Sequence, residues 1–141
     1  MQKQAIRASV YRQAAIVRLA EAEYLEEAHP AGAIYLGGYV VECMLKWAIC
    51  QRHGIIYLED LPDQKLSERL TGARGHDLGF LLDVSGLRPS LERNRKLHEA
   101  FIQMSKWSVK LRYDPKLGDF RAAVRFLGGA IELRNWLESV C

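Results

Sequence analysis

Glu42 and Lys46 stand four residues apart in the most apolar stretch of the chain, the order in which a carboxylate and an ammonium pair across one helical turn. On a surface such a pair contributes about 0.3–0.5 kcal/mol, but a buried charge without a partner is far more costly. Two readings follow. Either Glu42 forms an ion pair that fixes helix register, with Lys46 or with Arg134, or Glu42 and Lys46 line a polar pocket beside Gly37-Gly38. His76-Asp77 follows a glycine-rich turn, where Asp77 suits a helix cap with His76 packed against the loop, or both contact a nucleotide. Arg112-Tyr113 joins a phosphate-binding cation to a ring that can stack on a base, and reads equally as a surface arginine beside a core aromatic. Arg93 and His98 form the remaining constellation. There a histidine could act as general base on a ribose 2′-hydroxyl while the arginine stabilises the phosphorane charge.

Three of these residues fall in a strongly basic region, and Tyr113 lies there too. Residues 88–116 carry eight Lys/Arg against three acidic residues, a net +5 in a chain whose total is +3. Such a segment is a solvated helix face or a phosphate-binding surface. Metal chemistry finds no support, because His29, His53, His76 and His98 are far apart and no pair has zinc-site spacing. No phosphate-cradling glycine loop is present, so neither metal nor cofactor is expected.

The elements that must position these residues are helical. Residues 3–28 lack Pro and Gly, and Ile6, Val10, Ala14, Val17, Tyr24 and Ala28 recur at helical spacing. Basic residues come early in this helix and Glu21, Glu23, Glu26 and Glu27 late, against the macrodipole. With Tyr11, Ile16 and Leu25 as further apolar positions, the pattern predicts a surface for a partner and hence a homodimer. Pro30 introduces a second helix over 31–51 that is apolar nearly all round, as a central helix is. Gly37-Gly38 within it costs about 1 kcal/mol per glycine, which implies close approach of a backbone or ligand.

Short helices are predicted over 64–70 and from His76-Asp77 to Ser85-Gly86. A third long helix starts at Pro89-Ser90, with Leu97, Phe101, Met104, Trp107 or Ser108, and Leu111 as its stripe. Asp119 caps a fourth, whose inward face is Phe120, Ala123, Val124, Leu127, Ala130, Ile131, Leu137 and Val140. No segment alternates long enough to build a sheet. The expectation is a single all-α domain over 1–141: an up-and-down bundle of four long helices, with one or two short ones between the second and third.

Composition agrees, with 49% hydrophobic and 26% charged residues. The absence of a long uncharged apolar run or an apolar signal core predicts a cytoplasmic protein without membrane attachment. Cys43 and Cys50 on one helix lie about 10 Å apart, too far to bridge, and with Cys141 read as free thiols.

Three stretches, AGAIYLGGYVVECMLKWAI at 31–49, GHDLGFLL at 75–82 and WSVKLRYDP at 107–115, together resemble the HEPN superfamily of helical domains. The matching residues are Gly38, Tyr39, Glu42, Leu45 and Lys46, then His76, Asp77 and Leu78, then Arg112 and Tyr113. The resemblance spans about residues 10–140. It implies a four- or five-helix bundle, often dimeric, that binds nucleotide or RNA. Some members pair with a nucleotidyltransferase in toxin–antitoxin or defence modules. Glu42, Lys46, His76, Asp77, Arg112 and Tyr113 become the candidate nucleotide- or RNA-binding residues.

Catalytic members are metal-independent ribonucleases with an Arg and a His a few residues apart near the last helix. The chain departs from this pattern: Arg112 has no downstream His, and Ser139 stands where Arg134-Asn135 would require one. Arg93 and His98 satisfy the spacing one helix earlier. The leading reading is therefore a non-catalytic module that binds nucleotide or RNA, or docks on a nucleotidyltransferase. A metal-independent ribonuclease using Arg93 and His98, and an interaction domain without a nucleotide site, are the alternatives.

Overall fold

Proline, aspartate, asparagine and glycine divide the chain into seven α-helices among the described residues. The structure is a computed structural model describing residues 4–114 and 118–141, with the side chains of Arg112 and Tyr113 outside that set. The helices are α1 (Ala8–Leu25), α2 (Pro30–His53), α3 (Gln64–Thr71), α4 (Leu78–Ser85), α5 (Arg88–Glu92), α6 (Arg95–Met104) and α7 (Phe120–Val140). Short 3-10 turns occupy Leu58–Asp60, Ala73–His76 and Val109–Tyr113. The described residues contain no strand beyond one isolated bridge between Arg7 and Tyr57.

Several boundaries have a local cause. Pro30 supplies a preset φ in the first turn of α2, and Gly54 ends that helix in the left-handed conformation at φ 63°. The carboxylates of Asp63, Asp77 and Asp119 accept the backbone N–H groups of Leu66, Phe80 and Ala122, capping α3, α4 and α7.

The third long helix expected from Pro89 is instead broken into α5 and α6. Asn94 adopts an extended backbone and its side chain captures Leu97 N–H, starting a new helix at Arg95 rather than continuing the old one. The inward residues are those expected, since Leu97, Phe101, Met104 and Trp107 are all buried, although the helix ends at Met104.

α2 forms the centre, packing against α1, α7 and α4. It is long and apolar enough to cross a membrane by composition, but 78% of its most apolar window is buried within this chain. The face that α1 turns inward is Tyr11, Ala15, Leu19 and Ala22. This corrects the expected stripe: Ile6, Val10, Val17, Tyr24 and Ala28 point outward. Tyr11 is part of the core and Leu25 half-buried, so of the further apolar positions Ile16 alone is exposed. On α7, Ala123, Leu127, Ala130 and Leu137 face inward and Ile131 is half-buried, whereas Phe120, Val124 and Val140 are exposed.

The glycine pair in α2 receives side chains, not a backbone. A Cβ on Gly38 would lie 1.8 Å from the Trp107 indole, and one on Gly37 2.9 Å from Leu127 and Phe126. Removing two side chains from α2 thus lets Trp107, just beyond α6, and the middle of α7 close onto it.

Candidate functional site

Two of the three stretches that carry the family resemblance meet at the Glu42 carboxylate. Glu42 Oε2 accepts from Lys46 Nζ at 3.0 Å, one turn along α2. Its other oxygen, Oε1, lies 2.7 Å from His76 Nδ1. A carboxylate only accepts, so Nδ1 is the donor and the tautomer is assigned by this contact. Glu42 and Lys46 are 5% and 8% exposed, whereas the His76 side chain is 40% exposed. The ion pair expected between Glu42 and Lys46 therefore forms, and the alternative with Arg134 does not. Arg134 lies 3.8 Å from Glu138, its own neighbour on α7.

The close approach of His76 depends on Gly75, where a Cβ would stand 2.1 Å from the Leu70 carbonyl oxygen and 3.3 Å from Lys46 Nζ. Lys46 Nζ also sits 5.7 Å from the Tyr11 ring centroid. Burial, reinforced by the charge of Glu59, raises the Tyr11 phenol well above its usual range, so it stays protonated. Asp77 takes no part in this cluster. It caps α4, as the capping alternative expected, and lies 3.9 Å from Arg74 at the surface.

An aromatic path leads outward from the charges. The Tyr39 ring meets the His76 ring edge-on at 6.4 Å and the Trp107 indole edge-on at 5.0 Å. Tyr35 and Tyr39 share a hydrogen bond between hydroxyls at 3.0 Å, and Trp107 Nε1 donates to the Tyr35 carbonyl at 3.1 Å. His76 Nε2 makes no hydrogen bond among the described residues.

Trp107 also belongs to the floor of a groove of about 730 Å³ between α6 and α7. Ala100, Met104, Phe126, Gly128, Gly129 and Ile34 complete an apolar floor, with Lys96, Lys106, Arg125, Glu99 and Glu132 around it. Glu132 accepts from Lys96 at 2.8 Å and thereby raises that ammonium's pKa, and Glu99 is 3.3 Å from Arg95. Both carboxylates are therefore matched. Lys106 has a neutral neighbour, Gln103 Oε1 at 3.3 Å, and Arg125 is exposed without an ion pair among the described residues. The groove thus presents two unneutralised cations beside an apolar floor.

Arg125, Phe126 and the Gly128-Gly129 pair were missed in the sequence. Their one signal is a second tandem glycine, placed like Gly37-Gly38 inside a long helix. The proposed ribonuclease pair is separated by the helix break: Arg93 ends α5 and His98 lies in the first turn of α6. Neither side chain makes a hydrogen bond or ion pair among the described residues, and neither lines the groove. Arg112 and Tyr113 lie on the 3-10 turn Val109–Tyr113, and their side chains fall outside the described residues.

Fold and site define an all-helical chain with an internal carboxylate–imidazole–ammonium cluster and a separate open groove. No protein-family profile, curated protein or solved structure matches this chain.

Proposed function

We propose that this chain is a HEPN-like, non-catalytic cytoplasmic module that binds a nucleotide unit, free or within RNA, in the α6–α7 groove. The observation that carries this reading is the pairing of an apolar floor with Lys106 and Arg125 at its edge. A base transfers onto apolar surface while its phosphate meets cations, the combination used by strand-binding proteins in general. The groove is also built on the basic segment 88–116 together with α7. The junction of Tyr39, Glu42, Lys46 and His76 supports the family resemblance, as does the all-helical fold. In this reading the buried Glu42–Lys46 pair holds the fold and Trp107 joins it to the groove.

A second use of the same region is docking to a protein partner such as a nucleotidyltransferase, in a toxin–antitoxin or defence module. It is favoured by Phe120 and Val124, exposed one turn apart on α7.

Fluorescence anisotropy with a labelled single-stranded oligoribonucleotide tests the binding reading. Affinity should fall with salt, and Arg125→Ala or Lys106→Ala should each weaken binding and reduce the log–log salt slope by about 0.7. Binding that both substitutions leave unchanged would place the ligand elsewhere. His98→Ala should leave the oligonucleotide intact and bound as in the wild type; cleavage that disappears in that variant would establish the ribonuclease alternative.

A further inference from the structure

The α6–α7 groove is graded in charge along its length. The two helices run antiparallel: Lys96 Nζ reaches Glu132 at 2.8 Å, and a Cβ on Gly129 would stand 3.4 Å from Ala100 and Met104. Lys106, just beyond α6, and Arg125 on α7 therefore mark one end of the groove, and Glu99 and Glu132 the other. Arg125 and Glu132 are separated along α7 by about 10 Å, at 1.5 Å of rise per residue. The Lys106–Arg125 end carries the two unneutralised cations. The opposite end has no net charge, because Arg95 and Lys96 match its carboxylates. It nevertheless keeps acceptors. Each ion pair engages one carboxylate oxygen, Oε1, and the second oxygen of Glu99 and of Glu132 has no hydrogen bond among the described residues.

Between the two ends the groove is open to a flat group. Gly129 faces Ala100 and Met104, so packing between α6 and α7 accounts for it. Gly128 has no such account: a Cβ there would meet nothing within 4 Å, although glycine weakens a helix in its middle. The space it leaves lies in the groove, against the backbone of α7. Gln103 lines the same groove. Its Oε1 accepts from Lys106, and its Nε2 remains a donor without a hydrogen bond among the described residues.

Resting on the nucleotide-binding reading, we propose that the groove holds one nucleotide in a fixed direction and selects adenine. The phosphate lies at Lys106 and Arg125, the base lies over Gly128, and its exocyclic amine meets Glu132. The reverse direction would set the phosphate against two carboxylates and leave both free cations unused. The distance between the ends matches one extended nucleotide, from its phosphate to the far edge of a purine. A carboxylate oxygen only accepts, so it takes an N–H from the 6-amine of adenine and repels the 6-carbonyl of hypoxanthine. Glu132 is the selecting residue rather than Glu99, because its side chain is 38% exposed against 67% and water competes less for its oxygens.

Fluorescence anisotropy with labelled hexamers of riboadenosine and of riboinosine tests the selection. The two probes share length and charge and differ at the purine 6-position, amine against carbonyl. The wild type should bind the adenosine hexamer about tenfold more tightly. Glu132→Gln presents an amide that both accepts and donates, and should bring the two affinities within about twofold of each other. Freeing Lys96 in that variant shifts both affinities alike, so their ratio is the readout. Arg125→Ala should weaken both probes equally and leave the ratio unchanged. Equal wild-type affinities, each still lowered by Arg125→Ala, would overturn the selection while leaving nucleotide binding in place. A preference for adenosine that survives Glu132→Gln would overturn it as well. Failure of both hexamers to bind would contradict the nucleotide-binding reading itself, and the selection with it.

Discussion

Glu42 and His76, thirty-four residues apart, are joined by a 2.7 Å contact between Oε1 and Nδ1 that ties the centre of α2 to the turn preceding α4. The same carboxylate neutralises Lys46, which is 8% exposed. Glu42→Ala leaves that ammonium buried and unpaired, and should lower unfolding free energy by about 3–5 kcal/mol. His76→Ala removes the half-exposed partner and should cost about 1 kcal/mol. Urea denaturation of both variants checks the ranking, and a loss below about 1 kcal/mol for Glu42→Ala would contradict the buried pairing.

Two glycines should respond in opposite directions. At Gly38 a Cβ would meet the Trp107 indole at 1.8 Å, so Gly38→Ala should destabilise by about 1–3 kcal/mol or more through overpacking. At Gly128 nothing lies within 4 Å of a Cβ, so Gly128→Ala should gain up to about 1 kcal/mol of helix propensity. Because Gly128 lines the groove, the same substitution should weaken ligand binding. Thermal melts and the anisotropy titration together separate the two effects.

The fold contains its own alkaline limit. Burial first, and then the charge of Glu42 at Cys43 or Glu59 at Cys50, pushes both thiols up to about 11 from an ordinary 9.0. In the unfolded chain these thiols ionise near 9.0, while the folded chain keeps their protons to about 11. Between those values the unfolded state binds fewer protons, so stability falls as pH rises, by about 1.4 kcal/mol per pH unit for each thiol. Below that window the two thiols impose no pH dependence. Urea midpoints measured across it should decline, and Cys50→Ala should make the decline shallower.

How much of this was legible beforehand depended on how local the cause was. Asp77 and Asp119 cap their helices as their positions predict, because a cap involves residues three apart. The Glu42–Lys46 pair is likewise one turn of helix. The outward direction of Val10, Val17 and Tyr24 was hidden because α1 carries two apolar stripes, and periodicity finds a stripe without saying which one the core covers. The break at Asn94 was hidden by an apolar spacing that runs on through Trp107 regardless. The groove was least legible: Ile34, Trp107, Phe126 and Gly128 come from distant parts of the chain and meet only after α2 has gathered the helices around it.

The most direct test of the account is a titration of ¹⁵N-labelled protein with a single-stranded oligoribonucleotide, followed by amide and side-chain NMR. Shift changes should concentrate at Ala100, Gln103, Lys106, Arg125, Gly128 and the Trp107 indole N–H, and Arg125→Ala should diminish them together. Changes confined to other faces, or a spectrum indifferent to the oligonucleotide, would contradict a nucleotide-binding groove between α6 and α7.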